Sequence, residues 1–331
     1  MNKNIRTYTL IIAISFLALG LHAQQISEFS LIRENAVALN PAMTGVQGYM
    51  SGLATFRKEF TQISQSPYTA FAMMEGQIAD KNIGIGGSMI ADQTGPLGRT
   101  GVSISASYQL KLGSTYDYVN SERGHYNTIS DHMITFGLSL SFMQFRVNGS
   151  ELNPLQTGDP QLFGNNVYKL APDAAFGIYY QWMHHLYIGV SVPQILGLNE
   201  SFTGHNGVAY VQTVRHINAI AGSKIDIVKG KFSIDPVAAF RWVKNAPPQG
   251  DAGLRFTFLN SIWVGGTYRS LNTFVLDAGV EIKTIVKICY AYDYHFASYT
   301  TDIGPTHELT VAFRYNKIPP RKMKIIGGEY R

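Results

Sequence analysis

The chain has 331 residues, of which 45% are apolar, 12% aromatic and only 15% charged, against about 25% charged in an average globular protein. So much apolar content excludes an intrinsically disordered chain, and a single Cys excludes an intrachain disulfide scaffold. The net charge of +5 gathers at Lys3 and Arg6 and at Lys317, Arg321, Lys322, Lys324 and Arg331, so the near-neutral body carries no basic stripe for nucleic acid.

Residues 1–23 read as a cleaved signal peptide. Lys3 and Arg6 supply its positive start, Leu10 to Leu19 its apolar stretch, and Leu21-His22-Ala23 a small residue ahead of Gln24. The apolar run from Tyr8 to Leu21 is 14 residues, short of the roughly 20 that a spanning helix needs. No Cys follows the cleavage site, which excludes a lipoprotein signal. Residues 24–48 precede the first strand and hold Asn40-Pro41-Ala42-Met43-Thr44-Gly45. Pro41 turns Asn40 away from helix, and Gly45 permits a turn. From the pattern alone this segment is either a plug folded inside a lumen or a periplasmic tail.

Period-2 alternation dominates from there on. Fourteen segments carry it, near 49–56, 69–78, 84–91, 101–112, 132–145, 174–182, 186–192, 216–226, 231–242, 249–258, 261–269, 273–281, 286–294 and 307–315. Many run 9–11 residues, the length of a tilted membrane strand, whereas globular strands average about five or six. Val102, Ile104, Ala106, Tyr108 and Leu110 form one face of 101–110, and Gly101, Ser103, Ser105, Ser107 and Gln109 the other. Phe136, Leu138, Leu140 and Phe142 likewise oppose Gly137, Ser139 and Ser141. Ala252, Leu254, Phe256 and Phe258 oppose Asp251, Gly253, Arg255 and Thr257, and Leu309, Val311, Phe313 and Tyr315 oppose Glu308, Thr310, Ala312 and Arg314. Charges recur on the small, polar face: Asp235, Arg241, Arg269, Asp277, Glu281, Lys287 and Asp293. A soluble antiparallel sandwich alternates in the same way. Strand length, the Ser/Gly-rich polar face and the leader favour an outer-membrane barrel, apolar outside and polar inside. The fold class read from the residues is therefore all-β: a 14-stranded antiparallel transmembrane β-barrel occupying 49–315.

Every second connection is expected to be short, and those centred on Asp80-Lys81, His184, Lys229-Gly230, Asn260 and Thr284 are. Residues 113–131 break the rule: either the strand count slips there or the barrel carries a sizeable periplasmic insert. The opposite connections include the long 148–173 and 193–215. After Tyr315, Pro319-Pro320 stops a strand and residues 316–331 form a basic periplasmic tail, either solvated or docked on a periplasmic partner or anionic lipid.

Catalytic patterns are absent from the sequence. His184 and His185 are adjacent at a turn and, in a strand, would point to opposite faces. There is no H-E-x-x-H, C-x-x-C or G-x-S-x-G, and Gly84-Ile85-Gly86-Gly87 lacks the spacing of a dinucleotide loop. Cys289 shares the lumen face with Lys287, Ala291 and Asp293 and has no evident base, and His307-Glu308 reads as a surface pair. No enzyme, cofactor or metal is expected.

The ordered set of local motifs resembles the PorP/SprF family of type IX secretion outer-membrane proteins. It runs from Asn40-Pro41-Ala42-x-x-Gly45 and Arg57 in the first hairpin, through Asn82-Ile83-Gly84-Ile85-Gly86, Asp92, Gly95-Pro96, Phe176-Gly177-Ile178-Tyr179-Tyr180, Leu186–Pro193 and Arg215-His216. It ends with Trp263-Val264-Gly265-Gly266-Thr267-Tyr268-Arg269, Tyr290-Ala291-Tyr292-Asp293-Tyr294 and His307-Glu308-Leu309. The chain departs from the family where Arg-x-Gln-Trp is common, having Arg57-Lys58-Glu59-Phe60. The resemblance implies a barrel related to the long-chain fatty acid transporter fold, in which the Asn-Pro-Ala segment belongs to a hatch; residues 24–48 then become an N-terminal plug.

It also implies secretion or surface tethering of a large adhesin-like cargo with a type IX C-terminal domain, in some members serving gliding motility. Further partners are periplasmic lipoproteins, peptidoglycan-binding proteins and outer-membrane lipid. The expected partner-binding lumen residues are Arg241, Arg255, Arg269, Asp277, Asp293 and Glu308 by face parity. Arg57 and Asp92, read as loop residues, join them from the resemblance. The competing reading is a transporter of hydrophobic small molecules such as fatty acids, which calls for a greasy pocket in the lumen; the polar faces argue against it.

Overall fold

The computed structural model describes residues 28–78, 81–120, 125–148, 166–183, 185–197, 199–203, 208–244, 246–270, 272–296 and 303–315. The expected signal peptide, residues 24–27 of the expected plug, Asp80, His184 and the basic tail at 316–331 lie outside them. The described part opens with a four-residue helix, α1 (Ala36–Leu39), and a 3-10 turn at Pro41–Met43.

Among the described residues seventeen strands follow: β1 (Met50–Lys58), β2 (Tyr68–Gln77), β3 (Ile83–Thr94), β4 (Leu97–Asn120), β5 (His125–Asn148), β6 (Asn166–Trp182), β7 (Leu186–Val192), β8 (Asn199–Thr203), β9 (Val208–Gln212), β10 (His216–Ser223), β11 (Ile225–Val228), β12 (Phe232–Val243), β13 (Gln249–Phe258), β14 (Ile262–Arg269), β15 (Thr273–Ile282), β16 (Val286–His295) and β17 (Thr306–Tyr315). Fourteen of them form the wall. Each pairs antiparallel with its neighbour, β1 pairs with β17 from Met50↔Tyr315 to Lys58↔His307, and β7–β10 and β10–β12 pairings close the ring. A closed 14-stranded antiparallel β-barrel is thus the fold, as the alternation implied. The short β11 prolongs the β10–β12 turn, and β8 and β9 make a separate hairpin inside the 193–215 connection.

One end of the barrel is built from tight turns. Leu259 and Asn260 have φ of 50° and 51°, and Lys283 and Thr284 have 47° and 58°. Two successive left-handed residues are what a two-residue type I′ hairpin requires, a turn whose backbone twist matches that of the flanking strands. We call this the turn end; the other, carrying the 148–166 and 193–215 connections, is the loop end. At the turn end the described residues of the 113–131 stretch do not upset the strand count. They prolong β4 and β5 as one hairpin, with a register shift between Leu112 and Thr115 and pairing on to Asn120↔His125.

The alternation acts outward. Ile104 is 66% exposed, Leu138 59% and Leu140 55%, whereas Ser107, Gln109, Thr135 and Thr310 on the opposite faces are buried. A belt of exposed large apolar side chains around a closed ring is stable only against hydrocarbon. The packed core lies inside, in four small clusters that each include residues of the N-terminal segment. Phe29 meets Leu53, Phe71 and Met73; Leu31 meets Trp263, Val275, Cys289 and Ala291; Ile32 and Leu39 meet Ile220, Val237 and Ala239; and Ala42 meets Met133 and Tyr179.

Candidate functional site

Inside the barrel, charge is paired with charge. Arg57, 3% exposed, donates from Nη2 to Asp293 Oδ2 at 3.0 Å, from Nη1 to Glu308 Oε2 at 3.2 Å and from Nε to Glu59 Oε1 at 2.9 Å, and also reaches Ser30 Oγ. Glu308 accepts in addition the backbone N–H groups of Ser30 at 2.7 Å and Leu31 at 3.0 Å, and Asn35 Nδ2 at 3.3 Å. Ser30 Oγ donates to Asp293 Oδ2 at 2.7 Å. Arg269 extends the knot: its Nε lies 3.3 Å from Asp251 Oδ1, its Nη1 3.5 Å from Asp293, and its Nη2 donates to Phe29 O at 3.2 Å. Buried charges persist only where such partners replace water.

A second knot lies on the same wall, four residues further along β13 from Asp251. Arg255 holds Glu34 through Nη1 at 2.7 Å and Nη2 at 3.2 Å, and Asp277 Oδ1 through Nη2 at 2.8 Å and Nε at 3.1 Å. Its guanidinium sits 5.1 Å from the Trp263 ring, which Lys287 Nζ also approaches at 5.4 Å. Burial alone would raise the Glu34 carboxyl; Arg255 first, then Lys287, outweigh it and hold the group down to about 2.

The Asn-Pro-Ala turn crosses the opposite wall. Asn40 Oδ1 accepts Ala42 N at 2.9 Å while Nδ2 donates to Ile178 O at 3.1 Å and Val190 O at 3.4 Å. The turn lies so close that a Cβ on Gly137 would land in the backbone of Pro41 and Ala42. Gly45, at φ +69°, then turns the chain toward β1; its N–H donates to Glu75 Oε2 at 2.8 Å and its carbonyl accepts Gln109 Nε2 at 3.0 Å.

Of the lumen residues expected from sequence, Arg57, Arg255, Arg269, Asp277, Asp293 and Glu308 fall in these two knots, and Arg241 joins through Asp251 at 3.1 Å. Asp92 stands apart, bonded to Thr69 Oγ1 at 2.6 Å and to Arg99 at 3.2 Å. Two expectations need correcting. Arg57 and Asp92 are not loop residues: they lie in β1 and β3, which continue past residues 56 and 91 because inward partners accept their charge. Nor is His307-Glu308 a surface pair. Neighbours on a strand face opposite ways, so His307 meets Tyr290 Oη at 2.6 Å outside while Glu308 is 1% exposed inside. Sequence reasoning missed Ser30, Glu34 and Asn35, although a charged Arg33-Glu34-Asn35 run in an otherwise apolar stretch was a visible signal. Among the described residues no three His, Cys, Asp or Glu side chains cluster so as to hold a metal ion.

Residues 21–313 match the sequence profile of the type IX secretion system membrane protein PorP/SprF family. The chain belongs to this family. This PorP/SprF protein is therefore an integral outer-membrane component of the type IX secretion system. No curated protein matches its sequence. Solved structures similar to it include a Pseudomonas aeruginosa FadL homologue, at 9% identity over 84% of this chain and 93% of that one, with a TM-score of 0.48. The Ralstonia pickettii toluene transporter TbuX is similar at 12% identity over 85% and 93%, with a TM-score of 0.47. The CymD monoaromatic hydrocarbon channel is similar at 11% identity over 85% and 91%, with a TM-score of 0.48.

Proposed function

We propose that this barrel holds the C-terminal domain of a large secreted cargo protein at its loop end, on the cell surface, with residues 24–48 as a plug that keeps the lumen shut. Outer-membrane barrels carry short turns on the periplasmic side and longer loops outside, which assigns the loop end to the exterior and residues 316–331 to a periplasmic tail. The observation that carries the reading is the filling of the lumen. The N-terminal segment engages Glu308 and Arg255 on one wall and Ile178, Val190 and Gln109 on the other, and every apolar cluster inside closes on it. A cavity of about 110 Å³ near the turn end is bordered by Arg33, Glu34, Glu75, Glu281, Lys287 and Arg314. It is smaller than the apolar pockets of several hundred Å³ that take small hydrophobic ligands, and these charges interrupt an apolar lining that includes Leu53, Met73 and Phe313. A holder of protein needs a firm, closed platform; a conduit for hydrocarbons needs a greasy path.

The test is a mild-detergent pull-down of the tagged barrel from outer membranes, with mass spectrometry of what co-purifies. The reading expects a stoichiometric large surface protein that is lost when that protein's own C-terminal domain is deleted. A barrel that emerges alone, carrying only lipid or fatty acid, refutes it and promotes the transporter.

A further inference from the structure

Most of the lumen's charged groups are saturated by partners within the chain; the seam between β10 and β12 is different. His216 is 6% exposed and its Nε2 has no hydrogen-bond partner. Arg241 is 12% exposed at its side chain and bonds Asp251 through Nη2, leaving buried Nε and Nη1 without partners. Asn218 pairs with Arg241 and His216 with Val243 in the ladder, so His216 and Arg241 are diagonal neighbours on one inward face, about 7–8 Å apart at Cα. His216 begins β10 and Arg241 is two residues from the end of β12, which puts both at the loop end, Arg241 level with Asn218, whose Nδ2 donates to Leu39 O of the N-terminal segment, and His216 two residues beyond it. Three unpartnered buried nitrogens side by side are rare in native proteins, because each forgoes a hydrogen bond that water would give it.

Their chemistry defines what fits. His216 Nδ1 lies 2.7 Å from Val214 O, which can only accept, so Nδ1 carries a proton, and in the neutral ring Nε2 is then an acceptor. Arg241 offers donors, and its charge is already met by Asp251 at 3.1 Å, with Glu28 within electrostatic range. A further carboxylate would satisfy the arginine but give nothing to the ring. A group presenting an acceptor and a donor together satisfies both. We infer that Arg241 and His216 form a subsite for an amide group entering from the loop end, its carbonyl accepting from the Arg241 guanidinium and its N–H donating to His216 Nε2. An amide reaches the site from a main-chain peptide group or from an Asn or Gln side chain. The inference rests on the reading of the loop end as the cargo-facing side, and it names the chemistry by which cargo is gripped there.

The test needs no cargo. The full-length barrel in detergent micelles is probed by saturation-transfer NMR with acetylglycine N-methylamide for the main-chain source, propionamide for the side-chain source, and methyl propionate, which keeps the carbonyl and lacks the N–H. The subsite expects transfer to at least one amide and little to the ester, with the better amide naming the source. Arg241→Met should lower the amide signal about tenfold, the value of one hydrogen bond to a charged group, and His216→Phe about fivefold, the value of a neutral one. Should either variant lose the heat-dependent gel shift of a folded barrel, Arg241→Lys and His216→Gln take its place. Equal transfer to amide and ester, no transfer to either amide, or variants indistinguishable from the native chain each overturn the inference. Cargo captured by a barrel that gives no amide signal sinks the subsite and leaves the holding function standing; an amide signal without cargo does the reverse.

Discussion

Glu308 fastens the N-terminal segment to β17, and Glu308→Gln tests how much that fastening matters. The carboxylate accepts from two backbone N–H groups, Ser30 and Leu31, from Asn35 Nδ2 and from Arg57 Nη1, at 2.7 to 3.3 Å. The amide has nearly the same shape but keeps one acceptor oxygen and turns an NH₂ toward donors, so at least two of these bonds become donor–donor contacts. Arg57 also loses one of its anions in a buried site. Breaking a buried, hydrogen-bonded pair from one side costs about 3–5 kcal/mol, which lowers the protection of the anchored segment by about two to nearly four orders of magnitude. Hydrogen exchange by mass spectrometry reads this directly, because the Ser30 and Leu31 amides are themselves the donors. Their exchange should accelerate by that factor while the amides of β13 to β15 stay protected. Asp92→Asn is the internal control: Asp92 pairs with Arg99 and Thr69 and none of its bonds reaches residues 28–48, so exchange there should be unchanged. If Glu308→Gln leaves residues 28–35 as protected as before in a folded barrel, the reasoning that this carboxylate anchors the segment is wrong.

Other substitutions probe the remaining walls. Gly137→Ala puts a methyl group into the Pro41–Ala42 backbone and should cost about 1–3 kcal/mol, seen as a lower temperature for the gel shift of the folded barrel and faster exchange over residues 40–45. Leu31→Ala empties the cluster with Trp263, Val275 and Cys289 and should cost about 2–5 kcal/mol in the same assay. Cys289, fully buried there, should resist maleimide in the native barrel and react once the barrel is unfolded; in the Leu31→Ala variant its labelling should speed up. Glu34, held at about 2 against an ordinary 4.5, should contribute stability that is complete above pH 4.5 and lost as pH falls toward 2. Unfolding of the native chain should therefore steepen over that window by about 3 kcal/mol relative to Glu34→Gln, and identical pH profiles would count against the Arg255–Glu34 pair.

The wall of this protein is written in short-range pattern, and its interior is not. Nine to eleven alternating residues are enough to separate the faces of β13 or β17, so strand number and facing could be read without a structure. The ends of β4, β5 and β6 could not, because pairing carries them past residues 112, 132 and 174 into stretches whose composition does not alternate apolar with polar. Parity also placed Arg255 and Asp293 on the inner face, but it is blind to partners. Arg57 meets Asp293 across 236 residues and Glu308 across 251, a pairing set by barrel register and by a side chain from residue 30. The N-terminal segment was hardest to read. Phe29, Leu31 and the pair Ile32 and Leu39 fill three different inner pockets, so they follow no helical or strand period. Apolar inner-face residues such as Leu53, Met73, Val237 and Val275, which break the polar face, were the sign that something packs there.

The path of that segment has a consequence for assembly. It meets Arg57 and Arg269 near the loop end, crosses beside Gly137 and Gly177, and joins β1 at Met50 on the turn end, so it runs the length of a ring that is hydrogen-bonded all the way round. A thread of this kind cannot be slid cheaply into a finished ring, because Glu308 would first have to wait inside it without the N–H groups of Ser30 and Leu31, and Arg255 without Glu34. The strands must instead close around the segment, with residues 28–48 serving as the mandrel on which β17 is laid against β1. Residues 28–48 then decide whether β17 can seal the wall.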